Sequence, residues 1–196
     1  MNSIRLSKGK KIYFTSDHHF GAPTKEASKP REKKFVKWLN HIKKDAQVLF
    51  ILGDLFDFWF EYKYAAPKGF TRVIGKLAEL SDEGIDIHFF VGNHDMWMRG
   101  YLEQEVNMKI YYKPHEFNIN NKKFYIGHGD GLGPNDKGYK RLKKVFKNSF
   151  FNWLYRWLHP DLGIRFAQYL SLKNKLISGS EDLKFVGKEQ EWLTQY

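Results

Sequence analysis

An α/β fold built on a parallel sheet is predicted by two features of the sequence. Apolar runs of β-type alternate with amphipathic helical segments, and four of those runs stop at a glycine or serine followed by Asp, Asn or His. At 196 residues with 42% hydrophobic composition, the chain is long enough for one full core carrying an inserted element.

The first strand is expected over Lys11 to Ser16, KIYFTS, ending in Asp17-His18-His19. A loop rich in Gly, Pro, Thr and Lys follows. From Arg31 to Lys44, Phe35, Trp38 or Leu39, and Ile42 recur at helical spacing among lysines, giving a crossover helix. The second strand, VLFILGDLFD from Val48 to Asp57, breaks at Gly53-Asp54.

Pro67 and Gly69 argue against a regular element in the aromatic stretch after Asp57. Thr71 to Glu83 then places Val73, Ile74, Leu77 and Leu80 on one helical face, with Gly84 as its stop. Ile85 to Val91 is the third strand and delivers Gly92-Asn93-His94-Asp95. A short helix is predicted over Tyr101 to Val106, then strands over Lys109 to Tyr112 and Glu116 to Ile119. A hairpin turn at Asn120-Asn121 leads to Lys123 to Ile126, which ends at Gly127-His128-Gly129-Asp130.

Beyond the turn GLGPND the character changes. Between Lys137 and Lys175, ten Lys or Arg face the single acid Asp161 and nine aromatics are interleaved. Phe150 to Leu158 is apolar almost all round a helix, so it is expected to be buried or to meet an apolar partner. The organisation read from this is a core over 1–136, a basic aromatic helical cap over 137–178, with a basic loop at Lys173 to Gly179, and a return helix over 179–196.

Bulk properties narrow the partners. A net charge of +11 and a pI near 9.6 call for an anionic one: nucleic acid, an anionic membrane surface or a phosphorylated substrate. With no cysteine, any metal must be held by oxygen and imidazole. No apolar run reaches the roughly 18–20 residues that span a bilayer, and no apolar signal segment opens the chain, so a cytoplasmic protein is expected.

Open α/β sheets bind ligands beyond the carboxyl ends of their strands. Asp17, His19, Asp54, Asn93 and His128 can therefore converge, and carboxylate, amide and imidazole donors suit Mn²⁺, Fe²⁺ or Zn²⁺. On an extended backbone Asp17 and His19 point the same way, and a central Asp54 is suited to bridge two ions ~3.5–4 Å apart. A single such Asp is ordinarily a helix cap. Four successive strand ends obeying the rule are not explained that way.

Asp-x-His, Gly-Asp-x-x-Asp, Gly-Asn-His-Asp and Gly-His-Gly-Asp, in this order, resemble the calcineurin-like metallophosphoesterase family. That resemblance implies a four-layer α/β/β/α sandwich around two divalent metal ions. Within the family, YIGHGDGLGPNDKGY and the basic aromatic helices after it are similar to the UDP-2,3-diacylglucosamine hydrolases of lipid A biosynthesis, peripheral enzymes that are usually manganese-dependent.

Carried over by position, the resemblance implies that Asp17 and His19 hold one ion, Asp54 bridges, and Asn93 and His128 hold the other. His94, oriented by Asp95, is implied to contact phosphate or protonate the leaving group. Asp136 and Tyr139 fall where the substrate headgroup binds, and Asp57 is expected to be a loop or supporting residue. The implied reaction is hydrolysis of a nucleotide-linked glycolipid at the cytoplasmic face of the inner membrane, with nucleic acid not the expected partner and oligomeric state left open.

The sequence departs from the pattern twice. Many members of the hydrolase group carry Arg where this chain has His94. The family's closing Gly-His-x-His strand end is also missing, and after His128 the sole histidine is His159, before Pro160. From this the sequence is expected to be a truncation. The readings left open are another phosphoesterase, such as a nuclease or phosphatase, and a catalytically impaired membrane- or nucleotide-binding homologue.

Overall fold

The computed structural model describes residues 2–130, 137–167 and 169, and the chain divides into two units, Met1–His128 and Gly129–Tyr196. In the first unit the β-type runs form a four-stranded parallel sheet from β2 (Lys11–Thr15), β3 (Ala46–Ile51), β4 (Asp86–Phe90) and β5 (Lys109–Tyr111), in that spatial order. A second sheet joins β1 (Asn2–Ile4), β6 (His115–Ile119) and β7 (Lys122–Ile126), with β1 parallel and β7 antiparallel to β6. Asn120 and Asn121, at φ 49° and 67°, make the hairpin turn that their type favours.

From Val48 to Ile51 strand β3 is continuously apolar because both of its faces are buried there. Leu49 and Ile51 face one core with Phe35, Leu39 and Ile42 of helix α1 (Lys25–Ile42) and Val73, Leu77 and Leu80 of α2 (Thr71–Asp82). Leu102 and Val106 of α3 (Tyr101–Val106) belong to the same core. Val48 and Phe50 face the other way, into a core shared with Phe117, Ile119 and Ile126 of the second sheet. Helices, parallel sheet and mixed sheet are thus three successive layers of the expected sandwich.

Two elements differ from the sequence reading. Helix α1 starts six residues before Arg31, with Pro30 in its interior. A proline there forfeits a hydrogen bond, but the Thr24 side chain caps the helix by accepting from the Ala27 amide, and Ser28, Glu32 and Phe35 are buried on its inner face. Strand β1 was not anticipated. Its three residues are polar or half-exposed, and it is a strand because β6 offers it a free edge.

In the second unit, α4 (Lys137–Lys147) is followed by α5 (Ser149–Arg156) and helical residues 160–167. The Asn148 side chain caps α5 by accepting from the Phe150 amide at 2.9 Å. None of the α5 side chains is buried. The turn at 131–136, the basic loop at 173–179 and the return helix lie outside the described residues.

Phe50 is fully buried against Phe14, His88, Phe90 and Phe117. Phe50→Ala is expected to lower unfolding free energy by about 3–5 kcal/mol in denaturant titrations. At the edge of this core, the Asp86 carboxylate lies 3.1 Å from His88 Nε2, and that contact first, then Lys109, draws its pKa down to about 2. A carboxyl depressed in the folded state stabilises above its unfolded pKa and loses that contribution as pH falls through the folded value. Asp86→Asn should therefore flatten the decline of stability between about pH 4 and pH 2.

Candidate metal centre

Three strand ends meet where two glycines make room. A Cβ on Gly53 would lie 2.6 Å from His128 Nδ1 and 2.9 Å from Gly92 Cα, and one on Gly92 would lie 2.1 Å from Asp54 Oδ1. Gly53 also has φ 89°, which an L side chain rarely adopts. Gly53 and Gly92 are therefore what let the ends of β3, β4 and β7 come together.

Asp54 is the centre of the cluster, 3% exposed. Its Oδ1 accepts from the His94 amide at 2.9 Å, which fixes the carboxylate. Its Oδ2 stands 3.6 Å from His19 Nε2 and 3.5 Å from His128 Nε2. Burial alone would raise this carboxyl, but the adjoining His128 and His94 rings and the His94 amide hold it below the usual carboxylate range.

The tautomers follow from carbonyl partners, because a carbonyl only accepts. His128 Nδ1 lies 2.6 Å from the Leu52 oxygen and His94 Nδ1 lies 2.8 Å from the Asp57 oxygen, so each Nδ1 carries the proton. His128 Nε2 then presents a lone pair to Asp54 Oδ2 and to Asn93 Oδ1, 3.3 Å away. Three acceptors converging without a proton between them fit a cation, whose ligands at about 2.0–2.2 Å lie roughly 3–3.5 Å from one another. His19 Nδ1, buried with no hydrogen-bond partner, is the mark of a ring not placed for hydrogen bonding.

The donors fall into two sets sharing Asp54: His19 with Asp54 and His94, and Asp17 with Asp54 and His128, each with its ligand atoms within 4.8 Å of one another. The extended backbone expected at Asp17-His18-His19 is absent. Asp17 and His19 have φ 56° and 45°, and each falls in a different donor set with Asp54. His18 turns inward, stacked on Phe20 and tilted against Phe35, and burial lowers its pKa to about 4.

The Asp95 carboxylate makes its hydrogen bonds to the main chain. Its two oxygens accept from the amides of Gly92 at 2.7 Å and Leu55 at 2.9 Å, so it clamps the β4 end to the β3 end. Burial first, then the Asp54 charge, push its carboxyl up to about 7. The carboxylate facing His94 is Asp57, buried, with Oδ1 3.8 Å from His94 Nδ1 and 3.6 Å from His19 Nδ1. The spacing of Asp54 and Asp57 was the signal for this role. Asp136 lies outside the described residues, and Tyr139 is on α4 of the second unit.

Residues 10–190 match the calcineurin-like phosphoesterase family, and the chain belongs to it. It is similar to the UDP-2,3-diacylglucosamine hydrolase of Porphyromonas gingivalis, with 37% identity over 95% of this chain and 75% of the relative. It is also similar to the enzymes of that name from Histophilus somni, 26% identical over 95% of this chain and 77% of the relative, and Actinobacillus succinogenes, 26% over 84% and 68%.

Gly92→Ala must displace Asp54, since the new methyl would also lie 2.6 Å from the Asp54 nitrogen. The variant is expected to lose about 1–3 kcal/mol of stability in denaturant titrations and to retain less Mn²⁺ after gel filtration, measured by atomic emission.

Proposed function

We propose that this protein hydrolyses the pyrophosphate of UDP-2,3-diacylglucosamine, giving UMP and 2,3-diacylglucosamine 1-phosphate. The observation that carries the reading is Asp54 Oδ2 placed between the imidazoles of His19 and His128, on a chain with 37% identity to a hydrolase of that name. Asp17, His19, Asp54, Asn93 and His128 are the proposed metal ligands, with Asp54 bridging. An oxygen and imidazole donor set without thiolate suits Mn²⁺, Fe²⁺ or Zn²⁺, and the resemblance to hydrolases that are usually manganese-dependent makes two Mn²⁺ ions the proposed occupants. Bound there, the ions supply charge that polarises phosphoryl oxygens and makes water a nucleophile near neutral pH.

The remaining chemistry belongs to the side chains. His94, with Nδ1 donating to the Asp57 oxygen, would meet the phosphate or protonate the departing oxygen through Nε2 once that nitrogen has taken a second proton from solvent. Asp57 lies against the two Nδ1 atoms of His19 and His94 and supports both rings, while Asp95 holds the loop that carries Asn93 and His94. Asp136 and Tyr139 are proposed to contact the substrate headgroup.

The substrate is half lipid, and the second unit has surface for it. Trp153, Trp157, Leu162 and Phe166 are each more than half exposed, with Arg156 and Arg165 on the same helical segments and the lysines of α4 preceding them in the chain. Such a surface suits acyl chains and anionic headgroups, which supports a peripheral location on the cytoplasmic face of the inner membrane. Among the described residues no helix is long and apolar enough to cross a bilayer.

Asp54→Asn is expected to reduce Mn²⁺-dependent UMP release by about 10²-fold or more, measured chromatographically with the diacylated substrate. Unchanged turnover in that variant sinks the bridging role, and turnover of single-stranded DNA but not of the glycolipid sinks the substrate. On the membrane side, co-sedimentation with phosphatidylglycerol vesicles should weaken as salt is raised from 0.05 to 0.5 M, a range flagged by a Debye length falling from roughly 14 to 4 Å.

A further inference from the structure

The loop that carries His19 is gripped from behind by helix α1. His19 sits at φ 45°, so its ring direction depends on how its two peptide groups are held. Its amide donates to the Asp54 oxygen at 2.9 Å, and its own oxygen accepts from the Ala22 amide at 3.1 Å. The same oxygen accepts from Arg31 Nη2 at 3.1 Å, and that nitrogen also donates to the Ala22 oxygen.

One turn earlier on the helix, Ser28 Oγ accepts from the Gly21 amide at 2.8 Å and donates to Glu32 Oε1 at 2.9 Å. Ser28 is fully buried and Glu32 nearly so. A hydroxyl that donates to a carboxylate is a stronger acceptor, so Glu32 tightens the hold on Gly21 without touching it. Helix α1 thus fixes the peptide groups of residues 19, 21 and 22, at the corner where the chain leaves the metal centre.

We propose that Arg31, Ser28 and Glu32 are positioning residues that set the His19 imidazole for metal binding. They act through the His19–Ala22 main chain and tune the affinity of the ion held by His19 while contacting no ligand atom. This rests on the metal reading given under Proposed function. An alternative role in simple fold stability is poorly suited to Arg31, an exposed residue whose guanidinium is directed at two carbonyls of this one loop.

The test is calorimetric titration of the full chain with Mn²⁺, after chelator treatment, for wild type, Arg31→Ala and Ser28→Ala, each also in a His19→Ala background. Outer supports of metal ligands are worth about 10- to 100-fold in affinity. Arg31→Ala is therefore expected to weaken one Mn²⁺ binding event at least about 10-fold, with its melting temperature in chelator unchanged. Ser28→Ala should act in the same direction, and both effects should vanish once His19 is Ala. Wild-type Mn²⁺ affinity in Arg31→Ala overturns the inference alone, as does a loss of equal size that persists with His19→Ala. A wild-type chain that binds no Mn²⁺ overturns the inference together with the metal reading.

Discussion

The arrangement depends on holding a charged carboxylate, Asp54, inside a protein core at a point where three strand ends nearly touch. Burying such a charge is costly unless it is hydrogen-bonded or paired. Oδ1 is satisfied by the His94 amide, while Oδ2 is directed at two imidazole nitrogens beyond hydrogen-bond length. This asymmetry fixes the side chain with one oxygen and leaves the other for ligation. It works only because Gly53 and Gly92 have no side chains, as a methyl on either would occupy space taken by His128 or by Asp54 itself.

Convergence also requires unusual backbone. Asp17, His19 and Asp54 all occupy the left-handed region, which non-glycine residues enter at a cost of roughly 1–2 kcal/mol each. The structure offsets this by continuing the β2–β3 ladder past the formal strands. Asp17 donates to Gly53, His19 to Asp54, Phe20 to Leu55, and Asp57 back to Phe20. Two chain segments bent the same way remain paired, so the bends are locked together and the donors they carry keep a common register. Asp95 extends the same device to the third segment by accepting from Gly92 and Leu55.

This explains what was legible in the sequence. Apolar runs such as VLFIL announce buried strands because both faces pack, and the residue following each run is placed by the strand itself. Asp54, Asn93 and His128 could therefore be read as neighbours. The division of Asp17 and His19 between two donor sets could not, since it depends on φ values that sequence spacing does not encode. The partners of Asp95 were not legible for a related reason: its neighbour in sequence, His94, turns to the Asp57 oxygen while the carboxylate turns to two amides. Arg31 was read only as the start of a helix, because its partners are carbonyls, and main-chain acceptors leave no residue-type signature. Strand β1 was hidden similarly, its state set by an edge more than a hundred residues away.

The charge distribution bears on how an anionic phosphate ester could enter at all. The chain as a whole carries +11, yet the centre gathers Asp17, Asp54 and Asp57, with Asp95 directly behind. Burial first, and the Asp54 charge second, raise the Asp95 carboxyl to about 7, so a further negative charge beside Asp54 is disfavoured. A phosphate brought to the same place meets the same field, because like charges a few ångströms apart in a poorly screened site repel by several kcal/mol, about 4 at an effective dielectric of 20 and 4 Å. Imidazoles that spend their Nδ1 protons on carbonyls cannot neutralise it as neutral rings. Divalent ions held by the donor sets would supply the positive charge that an anionic ester needs at the centre, and the excess of lysine elsewhere can draw the anion to the surface.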